Sequence, residues 1–302
     1  MNPYYREYGD MLTARFGTKV QKISVSTAAR CPNRDGTKGT GGCIYCNNKA
    51  FTPPYAGAGT DIDTQLEHGI AFFSHKYPRM RYLAYFQSYT STHADHDTIM
   101  QTYTRAAAHP GVVGLVIGTR PDCMPPALLE RLARLNRHTP VMVEYGAETS
   151  HDTTLRAINR CHTWADTADA VMRTAAAGID TGLHLIAGLP GEDDNMILDT
   201  VRTVNTLPVT SVKFHQLQIV RGTPLARMVQ EGTITVTPYT LDAYIALCIR
   251  IIHTLRSDIA IDRFTSQTPP ALLIAPQWGL KNHEFTHLLH RALKSFSPSA
   301  AL

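Results

Sequence analysis

Short apolar runs bounded by Gly and Pro alternate with amphipathic segments along most of the chain. Runs of this length and bounding predict buried strands. The predicted strands cover residues 20–26, 81–87, 114–118, 141–146, 183–188 and 211–218. Between them the apolar positions recur with the period of a helix. The predicted helices cover residues 64–77, 97–108, 126–137, 167–177 and 195–206.

The spacing of the strands indicates how they pair. Successive strands begin about 25 to 60 residues apart, which leaves room for the dozen or more residues that a parallel crossover needs. Six strand-helix units of this kind predict an α/β fold, a partial (β/α)6 TIM-like barrel. An open doubly wound sheet is the alternative, because the number of strands alone does not exclude it.

The pattern changes after residue 224. A helix is predicted over residues 241–255, a short strand over 259–264 and a terminal helix over 281–293. The sequence therefore predicts two parts, a barrel core at residues 1–224 and a small C-terminal α/β extension at residues 225–302 that packs on it. The terminal helix carries His283, His287 and His290 on one face, a geometry that can hold a metal ion. A basic or half-buried helix face is the alternative explanation of the three histidines.

Composition and charge limit the class of protein. The 302 residues are 43% apolar and 18% charged, which is typical of a folded globular chain. The net charge of +4 is mildly basic and neither requires nor excludes nucleic acid. The first residues lack the apolar core of a secretory signal, and no run reaches the roughly 18 apolar residues of a membrane span. We therefore expect a cytoplasmic protein with no membrane contact.

Three of the six cysteines lie close together, directly after the first predicted strand. Cys31, Cys43 and Cys46 have the spacing C-x11-C-x2-C. Three thiolates do not complete a structural zinc site, which has four ligands. They can hold three irons of a [4Fe–4S] cluster and leave the fourth iron open for a small molecule. Zinc with a fourth ligand from elsewhere, and thiols without a shared role, remain as alternatives.

The residues between these cysteines favour the cluster. Four glycines, at positions 36, 39, 41 and 42, allow the backbone to come close to an inorganic sulfide. The loop lacks the G-x4-G-K-[ST] pattern of a phosphate-binding loop. The other three cysteines are isolated in sequence and are expected to be buried structural residues: Cys123, Cys161 and Cys248.

The cysteine loop resembles that of the radical S-adenosylmethionine (radical SAM) superfamily, and its sequence CPNRDGTKGTGGCIYC is similar to that of the YhcC group in particular. Further segments carry the resemblance: YFQSYTST at 85–92, IGTRPDC at 117–123, VEYGAE at 143–148, INR at 158–160 and HLIAGLPGE at 184–192. More distantly, the chain is similar to the radical SAM half of the Elongator catalytic subunit and to oxygen-independent coproporphyrinogen oxidase.

The resemblance implies an enzyme and its cofactors. Cys31, Cys43 and Cys46 would bind the [4Fe–4S] cluster, whose open iron would bind the amino and carboxylate groups of SAM. The reduced cluster would cleave SAM to methionine and a 5′-deoxyadenosyl radical, which takes a hydrogen atom from the substrate. An electron donor such as a flavodoxin or ferredoxin is implied as a partner. The substrate, a small molecule or an RNA base, is not identified by the sequence.

The resemblance also implies residues that contact SAM. Tyr45 would pack near the adenine. Gln87 and Ser88 stand in place of the usual Gly-Gly segment, whose carbonyls accept hydrogen bonds from the methionine amine. Glu148 would accept from ribose hydroxyls or pair with Arg160, and Arg160 would bind the SAM carboxylate.

Three further residues would complete the site. His184 would contact the ribose, Ile186 would form a wall beside the adenine, and Gln218 would lie at the same mouth of the barrel. Aromatic residues at 51–55 and 82–89 could stack a planar substrate, although packing explains them as well. The alternative to an enzyme is an iron–sulfur or zinc protein with a structural or redox-sensing role.

Overall fold

Seven parallel strands in sequential order form the main sheet of the computed structural model, which describes residues 2–27, 29–50, 61–75 and 79–295. The order in the sheet is β1-β2-β3-β4-β5-β6-β8, and β7 pairs with β9 in a separate antiparallel ribbon. The strands are β1 (Val20–Val25), β2 (Arg81–Phe86), β3 (Val112–Thr119), β4 (Val141–Glu148), β5 (Asp180–Ala187), β6 (Ser211–Gln216), β7 (Ile219–Val220), β8 (Ala260–Ile261) and β9 (Leu273–Ala275).

Helices connect the strands and cover the outer face of the sheet. They are α1 (Tyr8–Phe16), α2 (Ile62–Ser74), α3 (His96–Ala108), α4 (Pro126–Asn136), α5 (Asp152–Ala157), α6 (Trp164–Ala176), α7 (Asp194–Val204), α8 (Pro224–Gln230), α9 (Leu241–Thr254) and α10 (Asn282–Ser295). Local sequence sets several of their starts. At α6, Thr163 and Asp166 form a capping box that satisfies free backbone N–H groups of the first turn. None of the helices in these ranges is both long and apolar enough to span a bilayer.

The main core lies between the sheet and the helices. Alternate residues of each strand, such as Ile117, Val143 and Phe214, are fully buried there against apolar helix faces. The residues between them point to the concave inner face, because successive side chains of a strand alternate. This alternation places apolar side chains on the outer face of the curled sheet and a different, largely polar group of side chains on its inner face.

Helix α1 fills one end of the concave face. Tyr8 and Leu12 are buried there against Leu83, Met142 and Ala260. The backbone before α1 also pairs with the last strand of the sheet, through the bridge between residues 7 and 261. The N-terminal segment therefore closes the bottom of the half-barrel and leaves the opposite end of the strands open.

The fold confirms the partial barrel and corrects its details. The sequential strand order excludes the doubly wound alternative, in which the order reverses. The short strand predicted at 259–264 is the two-residue β8, which joins the main sheet as its seventh strand. Three helices, α1, α5 and α8, and the ribbon of β7 with β9 were not predicted. The division at residue 224 stays a prediction. Of the three isolated cysteines, Cys123 and Cys248 are buried as expected, but Cys161 is exposed, which corrects the prediction for it.

Some predictions lie at or beyond the described ranges. The aromatic segment at 51–55 and the end of the helix predicted at 64–77 fall outside them. On α10, His283 and His287 are exposed, and the Nε2 of His290 lies 3.0 Å from the Asn2 side chain. In the described part of the chain, no three His, Cys, Asp or Glu side chains are placed to hold one metal ion. A metal ion and a basic or half-buried helix face both stay predictions for the three histidines.

Candidate functional site

A cavity lies at the open end of the half-barrel, beneath the cysteine loop. It includes about 1250 Å³ of space, part of it open to solvent. All but one of the residues predicted to bind the cluster or SAM line it: Cys31, Cys43, Tyr45, Cys46, Gln87, Glu148, Arg160, His184, Ile186 and Gln218. Ser88 is buried and does not line the cavity. The C-terminal ends of parallel barrel strands are the usual place for such a site.

Hydrogen bonds to the segment at 158–160 hold the cysteine loop in place. The side-chain amide of Asn159 donates to the carbonyls of Thr40 at 3.0 Å and Gly42 at 2.9 Å. The fully buried Asn33 donates back to the carbonyl of Asn159. The backbone N–H of Ile44 donates to the carbonyl of Ile158 at 3.1 Å. One segment that is distant in sequence therefore holds the loop and orients its thiols.

The donor set fits an iron–sulfur cluster. Cys31, Cys43 and Cys46 all line the cavity, and all are free thiols. No three such side chains among the described residues converge on one ion. A four-iron cluster binds each cysteine at a different iron, so its ligands need not meet at one point. Burial and the nearby Cys43 raise the pKa of Cys46 to about 11, so binding of a metal must displace its proton.

Arg160 and Glu148 form a buried ion pair beside the loop. The Nη2 of Arg160 lies 3.2 Å from Glu148 Oε1, and its Nη1 lies 3.6 Å from the Sγ of Cys43. Burial raises the pKa of Glu148, an effect that Arg160 and a hydrogen bond from Tyr45 partly offset. The Nε of Arg160 is buried and has no hydrogen-bond partner among the described residues. The guanidinium thus keeps one donor that the protein itself does not use.

Backbone strain is concentrated at this end of the cavity. Among the described residues, four other than glycine have a left-handed backbone: Tyr89 (φ 56°), Glu148 (φ 67°), Asn159 (φ 55°) and Cys161 (φ 58°). Tyr89 and Glu148 line the cavity, and the other two flank Arg160. A left-handed conformation costs such residues about 1–3 kcal/mol each and persists only where the surroundings impose it. Strain of this kind is common where side chains are held for binding.

A compact network of charges forms the floor of the cavity. Glu144 accepts from Lys22 Nζ at 2.6 Å and from Lys213 Nζ at 2.8 Å. Asp262 lies 2.7 Å from Lys22 and 3.2 Å from Lys213. The Tyr85 hydroxyl lies 3.1 Å from the Lys213 ammonium. Two lysines and two carboxylates thus neutralise one another inside the half-barrel.

The network keeps two histidines neutral. Burial and Lys213 lower the pKa of His184 to about 4, and burial and Arg263 hold the pKa of His215 well below its usual value. The Nε2 of His184 lies 2.8 Å from the Glu144 carboxylate, so this nitrogen carries the hydrogen. The Nδ1 atom of His184 is then the acceptor of the ring.

The other predicted residues lie as follows. Gln87 donates to the Ser24 hydroxyl at 2.8 Å. Gln218 donates to the carbonyl of Ser266 and accepts from Thr268, so its amide is held by the protein. Ile186 packs with Ile44 in the small apolar cluster under the loop. None of these contacts tests a role in binding SAM, and those roles stay predictions.

Several cavity residues were not predicted: Arg120, Glu144, His215 and Arg263. Arg120 is 2% exposed and is held by Asp122 through two hydrogen bonds. A signal for one of them exists in the sequence, since Glu144 is a charged residue that follows three apolar residues of its strand. A charge in such a strand indicates a polar inner face.

Comparisons with known proteins agree with this architecture. Residues 25–204 match the model of the Radical SAM superfamily, and residues 209–295 match the Radical_SAM C-terminal domain. The chain is 33% identical to the protein YtqA of Bacillus subtilis, over 94% of this chain and 88% of that protein. It is 35% identical to the protein YhcC of Escherichia coli, over 90% and 86% of the two chains.

Solved structures show the same fold. The archaeal Elp3 of Methanocaldococcus infernus superposes with a TM-score of 0.68 and 16% identity, over 91% of this chain and 63% of that one. Methylornithine synthase (PylB) superposes with a TM-score of 0.56 and 13% identity, over 95% and 85% of the two chains. The chain belongs to the radical SAM superfamily, whose cofactors are a [4Fe–4S] cluster and S-adenosylmethionine.

Proposed function

We propose that this protein is an enzyme that binds a [4Fe–4S] cluster through Cys31, Cys43 and Cys46 and reductively cleaves SAM. The observation that carries the proposal is a single cavity that brings together the three thiols, an arginine with an unused donor and a ring of polar side chains. When bound, the cluster supplies an electron to SAM, which yields methionine and a 5′-deoxyadenosyl radical that takes hydrogen from the substrate.

The residues beside the loop would bind the methionine end of SAM. Arg160 would bind its carboxylate, because a guanidinium suits a planar anion and its Nε is buried without a partner among the described residues. Glu148 holds that guanidinium at 3.2 Å and fixes its orientation. Backbone carbonyls at Gln87 and Ser88 would accept from the SAM amine.

Further residues of the cavity would bind the adenosine. Tyr45 and Ile186 belong to one apolar cluster beneath the loop, which suits the flat face of adenine. His184 would accept from a ribose hydroxyl through Nδ1, since its Nε2 is held by Glu144. Gln218 would act by positioning Ser266, because its amide is already bonded. A flavodoxin or ferredoxin would supply the electron.

Anaerobic reconstitution tests the proposal. The full chain is loaded with iron and sulfide, reduced with dithionite and incubated with SAM. We expect iron and sulfide at about four per chain, together with formation of methionine and 5′-deoxyadenosine. The triple variant Cys31→Ala/Cys43→Ala/Cys46→Ala should lose both the cluster and the products. Cys248→Ala is the matched control, because this thiol is fully buried in the main core and away from the cavity.

Two outcomes would reject the proposal. Stoichiometric zinc without iron in the purified protein would favour the structural alternative. A complete cluster that leaves SAM intact would favour a redox sensor. Exposure to air provides a further check, since an open iron should make the cluster bleach on contact with oxygen.

A further inference from the structure

Arg263 places a positive charge in the wall of the cavity. It lies two residues after the end of β8, and its backbone carbonyl accepts a hydrogen bond from the N–H of Phe214 on β6 at 2.9 Å. Its side chain lines the cavity, and its Nε atom is buried. Within residues 2–27, 29–50, 61–75 and 79–295, its Nε has no hydrogen-bond acceptor and no carboxylate lies within ion-pair distance of its guanidinium, although its charge contributes to the lowered pKa of the neighbouring Asp262.

The other arginines that line the cavity all have acceptors in the protein. Arg34 donates to the carbonyl of Cys46 at 2.9 Å. Arg120 pairs with Asp122, and Arg160 pairs with Glu148. Because a partly buried cation without a partner costs free energy, its retention in a folded protein needs a reason. No hydrogen bond or ion pair among the described residues supplies one for Arg263.

The nearby charges do not compensate Arg263. Lys22 and Lys213 are each in contact with both Glu144 and Asp262, so two positive charges meet two negative ones. The adjacent imidazoles add no negative charge, and His215 is bonded through Nδ1 to the Ser266 hydroxyl. The floor of the cavity is therefore neutral. Arg263 on the adjoining wall adds one positive charge that no negative charge of the network balances.

We propose that Arg263 binds a carboxylate of the substrate, so that the substrate is a small carboxylic acid that occupies the floor of the cavity. A surplus of one charge matches a monoanion. The Nε and one Nη of a guanidinium present two parallel donors, which is the spacing of the two carboxylate oxygens. The inference rests on the proposed function only in that a substrate binds beside SAM.

The carboxylate of SAM is a different ligand. Arg160 contacts the Sγ of Cys43 and lies at the cysteine loop. Arg263 follows the last strand of the sheet, next to His215 and Ser266. The two arginines therefore belong to different walls, and a variant at one should leave the ligand of the other bound.

Binding of a simple carboxylate tests the proposal. Benzoate and inorganic phosphate are titrated separately into the reconstituted full chain and followed by ligand-observed NMR. We expect benzoate to bind, and Arg263→Gln to weaken it about tenfold or more, the effect of losing a charged hydrogen-bonded pair. Arg263→Lys keeps the charge but not the two parallel donors, so it should have an intermediate affinity. Arg250→Gln on α9 is the control, since this arginine lies outside the cavity.

Each outcome decides the proposal. Benzoate affinity that is equal in the wild type and both Arg263 variants would overturn it. Tighter binding of phosphate than of benzoate would overturn the carboxylate assignment. Loss of SAM binding in Arg263→Gln, measured by equilibrium dialysis, would move Arg263 to the SAM site and also overturn it. If the wild type binds benzoate but no SAM, the proposed function fails while the anion site stands.

Discussion

Glu144 is the central acceptor of the buried charge network, and its replacement by glutamine tests how that network stabilises the fold. The carboxylate is 3% exposed and contacts Lys22, Lys213 and His184 within 2.8 Å. Glutamine keeps the shape of the side chain but removes the charge. Two buried ammonium groups would then share Asp262 as their remaining carboxylate in the network.

The size of the effect follows from this loss of balance. Removal of one partner from a buried ion pair costs about 3–5 kcal/mol, because the other charge stays buried without compensation. We expect Glu144→Gln to lower the free energy of unfolding by that amount. Lys213→Met should be destabilising for the same reason. The double variant leaves Lys22 with Asp262, which is balanced again, so its cost should fall below the sum of the single costs by about 1–3 kcal/mol.

Urea unfolding followed by circular dichroism measures these differences. Asp199→Asn is the control, because its pair with Arg202 is exposed and such pairs contribute about 0–1 kcal/mol. The reasoning is refuted if Glu144→Gln costs under about 1 kcal/mol, or if the two single effects add within about 0.5 kcal/mol.

The pH dependence gives an independent check on Glu144. Burial alone would raise its pKa, but Lys213 and Lys22 outweigh burial and hold the pKa well below its ordinary value. A lowered pKa in the folded state stabilises the protein above the unfolded-state pKa, and this stability is lost as the pH falls through the folded-state pKa. Wild-type stability should therefore fall on acidification from pH 4.5, the ordinary value for Glu, more steeply than that of Glu144→Gln.

Two further predictions concern the site and a helix start. Arg160→Lys should weaken SAM binding about tenfold, because one ammonium cannot hold Glu148 and a carboxylate with parallel donors; unchanged affinity by equilibrium dialysis would exclude Arg160 from the SAM site. Thr163→Ala removes the capping box that Thr163 forms with Asp166 and should cost about 1 kcal/mol in urea unfolding. Thr104→Ala at an exposed position of α3 is its control, and equal effects of the two variants would contradict the capping argument.

The strands were predictable because each buries a local run of apolar residues. Each of the six predicted strands overlaps an observed one, from β1 to β6, with ends that differ by a few residues. The strand β8 has only two residues, and its membership of the sheet depends on pairing with β6 rather than on a local pattern. Helix α1 has few buried positions, so its sequence shows little periodicity.

The site was predictable only where its residues are close in sequence. The spacing of Cys31, Cys43 and Cys46 is local and indicated the loop directly. The partners of Glu144 lie on β1 and β6, and their contacts exist only once the sheet curls. The left-handed backbone at Glu148 has no sequence signal, because it is imposed by the bulge where β4 pairs with β5.

The charge network also determines how late in translation the barrel can be completed. Lys22 leaves the ribosome first, yet its carboxylates belong to residues 144 and 262, and the edge strand β8 ends at residue 261. Until Asp262 emerges, Glu144 is the one network carboxylate that the two lysines can contact. The backbone near residue 7 also lacks its partner at residue 261. The nascent barrel therefore stays open through most of its translation, until residues 261 and 262 have been made. A ribosome stalled before residue 262 should hold a chain that proteases still cut within the sheet.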